Sequence, residues 1–117
     1  MDVKSREEII KFAQKLNSTN LSPLRSGNIS LKAQNNNEEG FLITPSGKKY
    51  DSLKADDIVF VSLEGRYDEK GLQPSSEWRF HKDIYLKKAD AKAVVHAHSP
   101  HATAVSSHNK DIPAFHY

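Results

Sequence analysis

PSSEWRFHKDIYLKKADAKAVVHAHSP, residues 74–100, holds a helix, a strand and the opening of a second helix in one short stretch. Pro74-Ser75-Ser76 precedes a segment whose Phe80 and Ile84, with Trp78 and Tyr85, recur at the spacing of one helical face, which predicts a helix from about Ser76 to Lys87. Ala93 to His98 is a short apolar run of the kind that forms a buried strand. Ser99-Pro100 then supplies a capping hydroxyl followed by proline at the first helical position, predicting a helix that runs to about His108.

Toward the N-terminus the same alternation continues. Ile58 to Leu63 reads as a strand closed by Glu64-Gly65, and Phe41 to Thr44 as another that runs into Pro45-Ser46-Gly47. From Gly27, apolar and polar residues alternate as in a half-buried strand, with a hairpin turn expected across Gln34 to Gly40. Ser5 and Glu8 fit a capping box ahead of Ile9, Phe12, Ala13 and Leu16, predicting the first helix. Strands and helices mixed over 117 residues, with no repeat and no linker, give one α/β domain spanning 1–117.

Composition narrows the function. Seventeen Lys and Arg against fifteen Asp and Glu leave a formal charge of +2, too weak a field to suggest nucleic acid. No run of eighteen apolar residues and no signal-like N-terminus is present, so a cytoplasmic protein without a membrane segment is expected. Cysteine is absent, so a transition metal would be held by imidazole and carboxylate.

His96 and His98 are two apart on a predicted strand, where alternate side chains share a face, so both imidazoles can converge on one ion. Two such histidines also occur as hydrogen-bonded core residues. His101 follows the turn into the next helix and is left out of the ligand set, while His81 reads as a packed or surface imidazole. Ser75, Ser76 and Glu77 bring two hydroxyls and a carboxylate to a helix opening, which suits an anion, though taken alone a simple serine cap with Glu77 complementing the dipole explains them better. Gly27-Asn28 and Thr44-Pro45-Ser46-Gly47 are ordinary turns taken singly.

Together, Ser26-Gly27-Asn28-Ile29-Ser30, Ile43-Thr44-Pro45-Ser46-Gly47, Pro74-Ser75-Ser76-Glu77-Trp78 and Val95-His96-Ala97-His98 resemble, in order and spacing, the class II aldolase and adducin-head family. The resemblance covers nearly the whole chain. It implies a three-layer αβα fold with a mainly antiparallel central sheet, whose C-terminal part, carrying a third histidine ligand, is missing from these residues. It implies one Zn²⁺ per subunit held by His96, His98 and Glu77, with Glu77 also moving the proton, and a substrate phosphate held by Gly27, Asn28, Ser46, Gly47, Ser75 and Ser76. Tyr117 falls where the family has a tyrosine near the active site, and the resemblance further implies a homotetramer. His101, His108 and His116 have no physical reason to replace the missing ligand.

The activity implied is reversible cleavage of a ketose 1-phosphate, such as L-fuculose 1-phosphate, to dihydroxyacetone phosphate and a small aldehyde. The family's epimerases, similar to L-ribulose-5-phosphate 4-epimerase, have aspartate after the two serines, so Glu77 favours the aldolase side. A non-catalytic module, similar to the adducin head, is the reading from a different class.

Overall fold

The computed structural model describes residues 2–23 and 26–114. Helix α1 spans Val3–Ser18, strands β1 and β2 span Asn28–Asn35 and Glu38–Ile43, and β3 spans Val59–Ser62. Helix α2, Trp78–Lys87, leads to β4, Ala93–His96, and α3 covers Pro100–Ser107. The strands form one sheet in the order β3-β2-β1-β4, with every neighbouring pair antiparallel.

Alternation along the strands sends residues to two faces, and each face is covered. Ile29 and Leu42 point to one side, where they pack with Ile9, Ala13 and Leu16 of α1. Phe41, Ile43, Val59 and Val61 point to the other, against Tyr85 of α2. Helix, sheet and helix thus make the three αβα layers expected, with a core on each side of the sheet.

Local chemistry shifts several boundaries. Asp2, not Ser5, caps α1: its Oδ1 accepts from the Ser5 backbone N–H at 3.1 Å, so the helix begins at Val3 and Ser5 lies inside it. Carboxylate and hydroxyl both suit the capping position, and the carboxylate also complements the positive end of the helix dipole. The inward face of α1 is Arg6, Ile9, Ala13 and Leu16, while Phe12 is 44% exposed. Arg6 is buried because its guanidinium donates to the carbonyls of Ala55, at 3.0 Å, and Ile58. The β1–β2 turn is tighter than expected: Asn36 and Asn37 both have positive φ, 50° and 66°, a two-residue turn that lets the ladder continue to Asn35 and Glu38.

Strand β3 is two residues shorter than the expected Ile58 to Leu63, and β4 is not buried. Among the described residues β4 pairs only with β1, so it is an edge strand and Val95 is 61% exposed on the α1 side. Ser99 caps α3 through Ala102, with Pro100 at its start, as local sequence requires.

Candidate metal and substrate site

The site lies on the α2 face of the sheet, where β1 and β4 run side by side. Asn28 pairs with His96 in the ladder and Ser30 with Val94, so Asn28, Ser30 and His96 share that face. Helix α2 begins at Trp78, two residues later than expected, leaving Ser75, Ser76 and Glu77 in the turn ahead of it. Glu77 is the N-cap residue but makes no capping bond with its side chain. Its carboxylate turns to β1 instead, where Asn28 Nδ2 donates to Oε2 at 2.6 Å.

Strand β4 ends at His96, so His98 lies past it, fixed by its own N–H donating to the buried Ser22 Oγ at 3.0 Å. The two imidazoles still meet: their Nε2 atoms are 2.8 Å apart, with the rings perpendicular. His96 Nε2 is 3.3 Å from Glu77 Oε2, and ligand atoms of Glu77, His96 and His98 all lie within 4.8 Å of one another. Among the described residues these three are the group able to hold a metal ion, and His101, exposed on α3, stands apart.

The donor set fits zinc. Two ligand bonds of about 2.0–2.1 Å at a tetrahedral angle separate the ligand atoms by roughly 3.3 Å. The Glu77–His96 separation matches that value, and the His96–His98 pair is about half an ångström inside it. Two histidines and a glutamate are one of the ligand sets of catalytic zinc sites.

The three loop motifs meet beside this cluster. Thr44 and Ile29 exchange bonds, Thr44 N–H to the Ile29 carbonyl at 3.1 Å and Ile29 N–H to Thr44 Oγ1 at 3.3 Å. An isolated antiparallel bridge joins Pro45 to Pro74, with Ser75 N–H on the Thr44 carbonyl and Ser46 N–H on the Gln73 carbonyl, each at 2.9 Å. Gly27-Asn28, Ser46-Gly47 and Ser75-Ser76, distant in sequence, are thereby drawn together. Gly47 sits at φ +73° in open space, a conformation that exposes its backbone and suits glycine. Asn28 is more committed than its sequence suggests, because its side chain bonds both Glu77 and His81. Tyr117, Phe115 and His116 lie outside the described residues.

Gly27 has a structural reason of its own. A Cβ there would lie 2.8 Å from both the His96 carbonyl oxygen and Ser22 Oγ, so only glycine lets the chain enter β1 this close to β4. Gly27→Ala should cost about 1–3 kcal/mol by forcing β4 away. Urea denaturation checks it, and an unchanged midpoint would show that the strands give way freely.

Sequence reading missed His81 and Phe80 as parts of the site. His81 is fully buried, with Nδ1 2.7 Å from Ser30 Oγ and Nε2 against Asn28 Oδ1. Burial, then the neighbouring His96, push its pKa down to about 4 against the pull of Glu77, so it is neutral at physiological pH. Phe80 meets the His96 ring edge-on at 5.1 Å between centroids. The expected apolar face of α2 is rotated, so that His81 and Tyr85 point inward while Trp78, Phe80 and Ile84 are half-buried. The sheet below presents Asn28 and Ser30, which polar side chains satisfy and Phe or Ile would leave unpaired.

Residues 7–117 match the family model described as Class II Aldolase and Adducin N-terminal domain. The chain belongs to that family. It is 43% identical over 114 residues to an L-fuculose phosphate aldolase of Escherichia coli K12, covering 97% of this chain and 51% of the relative. A 5-methylthioribulose-1-phosphate/5-deoxyribulose-1-phosphate aldolase of Rhodospirillum rubrum is 41% identical over 112 residues, 96% of this chain and 48% of that one. A solved L-fuculose 1-phosphate aldolase superposes with a TM-score of 0.87 at 33% identity, over 100% of this chain and 54% of the other. The family member from Thermus thermophilus, also titled L-fuculose-1-phosphate aldolase, gives 0.76 at 31% identity over 92% and 53%. The chain therefore spans about half the length of the curated relatives it matches. No helix among the described residues is long and apolar enough to cross a membrane.

Proposed function

We propose that this chain contributes the metal and phosphate half of a zinc-dependent aldolase acting on a ketose 1-phosphate. The observation that carries this reading is the convergence of Glu77, His96 and His98 within 4.8 Å, beside the bridge that joins Pro45 to Pro74. Relatives named for aldol cleavage of fuculose phosphate and of 5-deoxyribulose 1-phosphate support a phosphorylated ketose as substrate. Products would be dihydroxyacetone phosphate and a small aldehyde.

His96, His98 and Glu77 would hold the ion. Zinc, when bound, supplies Lewis-acid stabilisation of the negative charge that develops on the substrate carbonyl oxygen as the carbon–carbon bond breaks. Ser46, Gly47, Ser75 and Ser76, with the backbone at Gly27 and Asn28, would bind the phosphate, so that its binding energy orients the ketone at the ion. Glu77, about one-third exposed and within reach of both ion and substrate, would move the proton between carbon and solvent. Asn28 keeps one carboxylate oxygen in place while the other is available for that transfer. Tyr117 and a homotetrameric assembly with sites between subunits belong to the same proposal.

Zinc titration against a chromophoric chelator tests the reading. One ion per chain should bind, and His96→Ala with His98→Ala should abolish it without unfolding the protein. Binding that survives the double substitution would overturn the site. Release of dihydroxyacetone phosphate from L-fuculose 1-phosphate then separates an aldolase from an epimerase, which leaves the carbon chain intact.

A further inference from the structure

A line of hydrogen bonds runs from the core to the proposed metal ligands. Asn28, Ser30, His81 and Tyr85 are all at most 3% exposed, so each polar atom among them must find its partner inside the protein. Tyr85 Oη and Ser30 Oγ are 2.7 Å apart, and Ser30 Oγ is 2.7 Å from His81 Nδ1. His81 Nε2 faces Asn28 Oδ1, and Asn28 Nδ2 faces Glu77 Oε2 at 2.6 Å.

Donor and acceptor identities fix the direction. A charged carboxylate only accepts, so Asn28 must turn its amide nitrogen to Glu77. Its carbonyl oxygen then faces His81, which must carry its hydrogen on Nε2. Nδ1 is left as an acceptor for the Ser30 hydroxyl, which accepts in turn from Tyr85. With the opposite tautomer, His81 would present a lone pair to Asn28, favouring the flipped amide, and the flipped oxygen would then oppose the Glu77 carboxylate.

We propose that His81 is a positioning residue: as the Nε2–H tautomer it locks the Asn28 amide, which in turn holds Glu77 toward His96 and His98. Resting as it does on the reading of those three residues as metal ligands, the relay deepens that reading, and it adds a buried determinant of ligand geometry four residues along the chain from Glu77. Because burial keeps His81 neutral well below physiological pH, the direction of the relay does not reverse over the range in which the enzyme would work.

The test combines cobalt(II) titration, followed by its visible absorption, with long-range ¹H–¹⁵N NMR of the imidazoles in the unsubstituted protein. His81→Phe keeps a ring but removes both bonds, and should weaken cobalt binding about 10-fold. His81→Gln offers one donor and one acceptor, and should restore affinity to within about threefold of the parent. Equal affinity in His81→Phe and the parent, or a Gln variant no better than Phe, would overturn the proposal. The NMR spectrum should show His81 protonated at Nε2 alone. A hydrogen on Nδ1 would overturn the relay even if neither variant folds. Failure of the parent to bind cobalt would sink the metal reading, whereas the tautomer separately decides the relay.

Discussion

Glu77→Gln is expected to lower cleavage of a ketose 1-phosphate by about 10²–10⁴-fold at saturating metal, the usual worth of a positioned acid–base group. The substitution is nearly isosteric, and the Gln carbonyl oxygen can still accept from Asn28 Nδ2, so the bond that ties the turn before α2 to β1 survives. What disappears is the exchangeable proton and the negative charge 3.3 Å from His96. Fold and loss of turnover should therefore separate cleanly, with an unaltered urea midpoint and a collapsed kcat. Glu77→Asp retains the charge but withdraws it by one methylene, and should fall between the two. Turnover within about threefold of the parent in Glu77→Gln would remove Glu77 from proton transfer and leave it, at most, a ligand.

The meeting of the two imidazoles was readable because its determinants are local. Two histidines at strand spacing share a face whether or not the strand is fully paired, so His96 and His98 meet even though β4 stops at His96. Ser99-Pro100 is legible for the same reason, since a cap and a first-turn proline need only their immediate neighbours. Ser5 shows the limit of such patterns: Asp2 lies three residues earlier, satisfies the same geometry and takes the cap. Val94 and Val95 suggested a buried strand because apolarity reports what a residue prefers, not which side of a sheet its neighbours occupy, and β4 lies at the edge.

Arg6, and the partners of a His81 that the sequence reads only as a packed or surface imidazole, were illegible for a different reason. Arg6 meets carbonyls 49 and 52 residues away, and His81 meets Ser30 at a separation of 51. No spacing rule within a helix signals a polar side chain turned inward to partners that tertiary folding brings later. A faint trace exists in Asn28 and Ser30, polar positions of an alternating strand, which demand partners once that face too is covered.

The buried imidazole should also set the acid limit of stability. Its pKa in the folded protein is about 4, mainly from burial and secondarily from His96, against about 6.5 in the unfolded chain. Between those values the unfolded chain binds a proton that the folded protein refuses, so stability rises with pH across that window. His81's contribution is complete above about pH 6.5 and is lost as pH falls toward 4, a total of about 3 kcal/mol. The Asp57 carboxyl acts in a lower window: burial is the largest single influence and raises its pKa, but the bonds from Lys48 and the Lys54 backbone N–H, with the charges of both lysines, together outweigh it and hold the pKa below 3.8. Its stabilisation is therefore kept above pH 3.8 and fades only below it. Urea midpoints measured at intervals from pH 7.5 to 4.5 should fall steeply in the parent and much less in His81→Gln, whose amide does not titrate there. Because His96 interacts with His81, the difference reports the buried imidazole together with that interaction. Parallel curves would mean that the buried imidazole accepts its proton without cost, through an opening of the α2 layer that the packing of Phe41, His81 and Tyr85 does not suggest.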